Sequence, residues 1–141
     1  MRRVARGFLV VVSILNGFAG LVTGALFIAR PDGSLVHAGA LLPVIRTLPL
    51  ASVFFRDFLW IGITMLLVLG VANALAAAML LLRSGRQYLA TLTAGVLLVL
   101  WTGFELIFMY NVPAVGYFVV GVLSILSSLL LLRPAPVELS A

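Results

Sequence analysis

The sequence predicts an all-α membrane protein: a four-transmembrane-helix bundle with a short broken outer loop, or an interfacial helix, between helices 1 and 2. Three observations carry this. Four apolar runs, about 8–29, 57–82, 88–110 and 114–132, are each about 20 residues or longer. At about 1.5 Å rise per residue, each is long enough to cross a hydrocarbon layer of roughly 30 Å. Of 141 residues, 64% are hydrophobic and 9% charged, against about 25% charged in a soluble domain. Finally, the arginines stand at the ends of the runs or between them, not inside. Runs and connections together make one membrane domain over residues 1–141.

The first run follows a basic lead, Arg2, Arg3 and Arg6. A basic lead before an apolar stretch also describes a signal peptide, with a cleavage neighbourhood at Ala19 or Ala25. The apolar character continues past a signal core, which favours an uncleaved first helix. Gly20 and Gly24 form a GxxxG spacing, with Gly17 and Ala25 nearby, and small residues let two helix backbones approach closely. Arg30-Pro31-Asp32-Gly33 ends the helix, because Pro cannot continue it and Asp-Gly marks a turn. Residues 34–52 are apolar but interrupted by Pro43, Arg46 and Pro49. Leu41, Leu42, Val44, Ile45 and Leu48 fit one or two helical turns lying at the interface. A re-entrant segment is the alternative, and it requires protein or water over its free backbone groups.

Phe54 to Asp57 opens the second run, and Trp60 sits one turn in as an interfacial anchor. Gly70, Ala74 and Ala78 recur every four residues and read as a second close-packing stripe. Arg83-Ser84-Gly85-Arg86-Gln87 is too short to permit anything but antiparallel neighbours. Asn111-Val112-Pro113 separates the third and fourth runs, and Arg133-Pro134 stops the fourth.

The net charge of +5 comes from nine arginines and no lysine. They do not form a tract interleaved with aromatics, so the pattern argues against nucleic acid as a partner. Six (Arg2, Arg3, Arg6, Arg83, Arg86, Arg133) fall on one side of the predicted bundle. Three (Arg30, Arg46, Arg56) fall on the other, partly offset by Asp32 and Asp57. The positive-inside bias then puts both termini in the cytoplasm and the protein in the inner (plasma) membrane. The absence of cysteine excludes disulfides, thiolate metal sites and cysteine nucleophiles.

Polar residues inside the runs are few. Glu105 is the only acid there, and an ionisable group at membrane depth is a functional candidate by default. Its candidate partners are Arg56 and Arg46, in a structural ion pair or a ligand site near Trp60. Asn16 and Asn73 fall at similar depth on adjacent antiparallel helices, which fits an interhelical amide bond. His37 is the only histidine and lacks companions for a metal site. Ser13, Ser124, Ser127 and Ser128 have no histidine to activate them. Trp101, Phe104, Phe108 and Met109 read as packing or lipid-facing residues. No catalytic residue, metal or cofactor is expected.

Arg30-Pro31-Asp32-Gly33-Ser34-Leu35, Phe55-Arg56-Asp57-Phe58-Leu59, the ending Leu80-Leu81-Leu82-Arg83, and Trp101 with Glu105 carry a likeness. Over roughly residues 14–132 the chain resembles a widespread group of small four-helix bacterial membrane proteins without assigned activity. The resemblance implies a four-helix bundle. It departs from the group at Ile61-Gly62, where Pro-Gly is common, and at Glu105, where an uncharged polar residue is common.

Two functions fit. One is a non-enzymatic accessory or oligomer-forming subunit, with the bilayer and a second copy or another membrane protein as partners, using the Gly20/Gly24 and Gly70/Ala74/Ala78 faces. The other is a small transporter, channel or binder of a lipid or small molecule, with an outer-leaflet site around Glu105.

Overall fold

The computed structural model describes residues 1–133. Four long helices form a bundle: α1 (Arg2–Ala29), α3 (Leu59–Leu81), α4 (Gln87–Phe108) and α5 (Val112–Leu132), each long and apolar enough to cross a membrane. Between α1 and α3 lie 3-10 turns at Ser34–Val36 and Gly39–Leu41 and one short helix, α2 (Leu42–Ile45). No strand occurs among the described residues.

Polarity is distributed inside out. Leu15, Phe18, Leu67, Leu75, Leu100 and Ile107 are exposed, while Ser13, Asn16, Asn73, Thr91, Thr102, Ser124 and Ser128 are buried. Water would select the reverse. A hydrocarbon solvent selects this one, because it leaves leucine indifferent to burial and drives hydroxyl and amide groups toward partners inside the bundle.

The helix α1 starts at Arg2, well before its apolar run, and its basic first turns serve the ends of other helices. Guanidinium Nη1 and Nη2 of Arg2 donate to the Arg133 and Leu131 carbonyls, both at 3.0 Å, and Arg6 Nη2 donates to the Leu80 carbonyl at 2.9 Å. These carbonyls end α5 and α3, where unpaired acceptors carry the negative end of the helix dipole. The basic lead thus ties three chain segments together at one end of the bundle.

The pair α1 and α3 packs through the small residues. A Cβ built on Gly20 would collide with Gly70 N; one on Gly24 would lie 2.7 Å from Leu66 N, and one on Gly17 3.0 Å from Ala74 N. The order 17–74, 20–70, 24–66 is an antiparallel register between two backbones in near contact. Gly20, Gly24, Gly70 and Ala74 lie in this contact, and these faces are covered within the chain. Ala78 is a correction: it is exposed, and Ala76, Ala77 and Leu80 are buried instead. With 3.6 residues per turn, each step of four overshoots by about 40°, so two steps carry Ala78 about 80° away from Gly70.

Within α3, Met65–Val71 is π-helical, and the Ala72 N–H reaches the Leu67 carbonyl five residues back. Such widened turns leave a carbonyl open to other donors and occur often at functional sites. A second close crossing joins α4 to α5. Gly95 and Gly121 face each other there, and a Cβ on Gly121 would lie 2.8 Å from Val99 Cγ2. Nearby, the buried Thr91 Oγ1 and Ser128 Oγ share a hydrogen bond of 2.7 Å.

Residues 30–58 cap the other end. Ile45 and Leu48 are buried with Phe27, Phe58 and Ile61, and the Phe27 and Phe58 rings stack with centroids 4.9 Å apart. The Phe58 N–H donates to the Pro31 carbonyl at 2.9 Å, closing the ends of the loop on each other. Leu41 and Val44 are exposed, as an interfacial segment requires, but Ile45 and Leu48 plug the bundle. Asp57 Oδ1 accepts the Leu59 N–H at 2.9 Å where α3 begins.

At the start of the loop, Asp32 Oδ1 accepts the Ser34 N–H at 3.0 Å and the Ser34 hydroxyl at 2.7 Å. These bonds, helped by the Arg30 charge, hold the carboxyl below its usual 3.8. A depressed carboxylate favours the folded loop above its unfolded pKa, and that preference is lost as pH falls through the folded value. Ser34→Ala is expected to raise the Asp32 titration midpoint toward 3.8, measured by carboxyl-carbon NMR. The backbone N–H of residue 34 stays in place, so an unchanged midpoint would show that the hydroxyl does not contribute.

Candidate functional site

Glu105 lies one turn before the end of α4, four residues after Trp101 and on the same face. Below it α4 stops at Phe108, and Asn111 starts α5. The Asn111 Oδ1 accepts the Ala114 N–H and its Nδ2 donates to the Met109 carbonyl, both at 2.8 Å. Pro113 stands in the first turn of α5, where a missing N–H costs nothing. This short, fully bonded turn sets α4 and α5 beside each other and brings Tyr117 across from Glu105.

A partly enclosed cavity of ≈ 120 Å³ results. Met65 and Leu69 of the π-helical stretch form one wall, Trp101, Thr102 and Glu105 of α4 the second, and Ala114 and Tyr117 of α5 the third. Thr102 is committed to its own helix, donating to the Leu98 carbonyl at 2.7 Å, and Asn111 is committed to its cap. The Glu105 carboxyl makes no hydrogen bond or ion pair with any described residue. An acid with no protein partner thus faces a small space walled by apolar and aromatic side chains.

Several expectations about this site need correcting. Arg46 and Arg56 do not pair with Glu105. They lie next to each other, with Arg46 Nε donating to the Arg56 carbonyl at 3.0 Å, and line a separate surface depression. The loop folds so that both guanidinium groups face away from the bundle interior. Trp60 does not line the Glu105 cavity either. It meets Phe54 edge to face at 5.4 Å and borders an aromatic groove of ≈ 430 Å³ with Phe55, Trp101, Phe104 and Phe108. Trp101 lines both spaces.

The expected Asn16–Asn73 bond is also absent. Both residues are buried, but Asn73 Nδ2 donates to the Val68 carbonyl of its own helix at 3.3 Å, and Asn16 Nδ2 is buried without a partner. The π-helical stretch supplies the reason: it frees a carbonyl close to Asn73, and a local acceptor wins over one across the interface. His37 is exposed on the loop in the left-handed region, with φ 55°.

The sequence reads Trp101 as a packing or lipid-facing residue and does not single out Tyr117. The four-residue spacing of Trp101 and Glu105 was a usable signal. For Tyr117 there was none, because only the packing of α5 against α4 brings it to the acid.

The fold and site together define a class: an all-helical bundle with four helices long and apolar enough to span a membrane, and a partly enclosed cavity lined by a carboxyl side chain. No family model, curated protein or solved structure matches the chain.

Proposed function

We propose that the chain is a multi-pass membrane protein that binds a small amphiphilic organic cation, its ammonium head at Glu105 and its apolar body in the aromatic groove beside Trp101. The four long helices cross the bilayer, with the residue 30–58 cap outside and both termini in the cytoplasm. The arginine bias supports this orientation: Arg2, Arg3, Arg6, Arg83, Arg86 and Arg133 gather at one end, and Arg30, Arg46 and Arg56 at the other.

One observation carries the ligand reading: the Glu105 carboxyl has no partner among the described residues, yet lines a cavity that shares its Trp101 wall with a larger groove. A half-buried carboxylate without a hydrogen-bond partner calls for a countercharge, and aromatic rings favour an organic ammonium over a strongly hydrated ion. Size limits the head. At about 30 Å³ per water-sized group, the cavity takes about four such groups, which fits a compact alkylammonium. A role as an oligomer-forming subunit has less support, because the Gly20/Gly24 and Gly70/Ala74 faces are used within the chain.

The test uses tryptophan fluorescence of the detergent-solubilised W60F protein, which leaves Trp101 as the only indole. Benzylammonium is expected to shift the Trp101 emission saturably, and Glu105→Gln is expected to remove the response. Benzyl alcohol, which keeps the ring and lacks the charge, is expected to give none. An equal response from benzyl alcohol, or from the Gln variant, would refute the cation site.

A further inference from the structure

Residues 46–56 hold two arginines with no ion-pair partner among the described residues. Arg46 Nε donates to the Arg56 backbone carbonyl and both arginines line one depression, so two like charges share it, which is unfavourable without a countercharge. The nearby acids are occupied elsewhere: Asp32 by Ser34, and Asp57 by the Leu59 N–H. No carboxylate among the described residues comes within ion-pair distance of either guanidinium. The two arginines, with Ala51 and Ser52, line an open depression of ≈ 380 Å³.

Apolar side chains stand beside this depression. The N–H groups of Val53 and Phe54 both donate to the Leu50 carbonyl at 3.0 Å. Leu50 itself takes φ 61°, a left-handed conformation that a leucine adopts only when its surroundings impose it. The resulting tight bend leaves Leu50, Val53 and Phe54 exposed on the same loop as the arginines. Two guanidinium groups at one depression, with bare apolar side chains on the same loop, match a ligand with an anionic head and hydrocarbon attached. Planar forks bind phosphate oxygens two at a time, and the Ser52 hydroxyl adds a donor.

We propose that Arg46 and Arg56 bind the phosphate group of an anionic phospholipid, with its hydrocarbon lying along Leu50, Val53 and Phe54. The phosphate position is separate from the Glu105 cavity, while Leu50 and Phe54 also line the aromatic groove beside Trp101. It rests on the membrane setting proposed above and not on the cation reading.

The experiment measures binding of phosphatidylglycerol and phosphatidylcholine to the full chain in micelles by native mass spectrometry. The expected result is a clear preference for phosphatidylglycerol that R46Q/R56Q weakens by roughly tenfold, the range that a charge-assisted hydrogen bond commands. R83Q/R86Q removes equal charge at the opposite end and is expected to keep the preference. Ser52→Glu puts a negative charge into the depression without touching the Arg46–Arg56 bond, and it too is expected to abolish the preference; this covers the case in which the double variant misfolds. The proposal is overturned if R83Q/R86Q loses as much as R46Q/R56Q, if Ser52→Glu still prefers phosphatidylglycerol, or if millimolar inorganic phosphate displaces the lipid. The last outcome would assign the depression to a soluble anion. Solubility of the folded chain without detergent would refute the membrane setting itself and is read separately.

Discussion

Gly20→Ala is expected to separate α1 from α3 and to cost about 1–3 kcal/mol of stability, the range for forcing one extra carbon into a packed interior. The effect should sit at the upper end. The added Cβ would collide with Gly70 N and lie 2.5 Å from Leu69 C, and both are backbone atoms. A side chain can change rotamer to relieve a clash, but a helix backbone can only move as a body. Displacing α3 would also disturb its π-helical stretch, which faces Gly20 and supplies Met65 and Leu69 to the Glu105 cavity. Gly7, Gly85 and Gly116 are built-in controls, since a Cβ at any of them meets nothing within 4 Å. Gly116→Ala lies in the helix α5, where alanine has the better propensity by about 1 kcal/mol, so it should be neutral or stabilising. Thermal unfolding in one detergent, followed by circular dichroism, compares the two variants directly. Equal midpoints for Gly20→Ala and Gly116→Ala would refute the close-contact account.

How much of this was legible in the sequence depends on which length scale set each feature. The four long helices were legible because bilayer thickness imposes a run length that composition alone reveals. Gly20 and Gly24 were legible as a packing face because their spacing is local to one helix. That they meet Gly70 and Ala74 of the same chain, and not a second copy, was not legible, because a GxxxG spacing does not name its partner. Ala78 failed for a smaller reason: a constant step of four drifts off the face that an alternating three-and-four step keeps. Asn16 and Asn73 are both buried beside the Gly17–Ala74 approach. Side-chain direction was lost to a π-helical stretch that has no sequence signature. Glu105 stood out as the only acid in an apolar run. Its presumed partners, Arg46 and Arg56, were placed by a loop fold that no periodicity encodes: a bend at Leu50 and a bond from one arginine to the backbone of the other.

Glu105→Met is expected to raise stability while abolishing the proposed ligand response, and the opposite signs are the informative part. An acid in an apolar cavity without a hydrogen-bond partner is unfavourable in the folded state, by about 1 kcal/mol or more from mutational experience with unpaired polar groups. Methionine has similar length, carries no charge, and adapts its shape to Met65, Leu69 and Trp101 around it. Removing the acid should therefore raise the unfolding midpoint in the absence of any ligand. If Glu105 were instead one half of a buried structural pair, its loss would strand the other half and destabilise by about 3–5 kcal/mol. The two accounts differ in sign as well as in size, so one unfolding measurement separates them. A groove that still answers benzylammonium after the change would detach the aromatic wall from the acid. A gain in stability together with a silent Trp101 would be the pattern of a residue retained for binding at the expense of the fold, the trade-off common at functional sites.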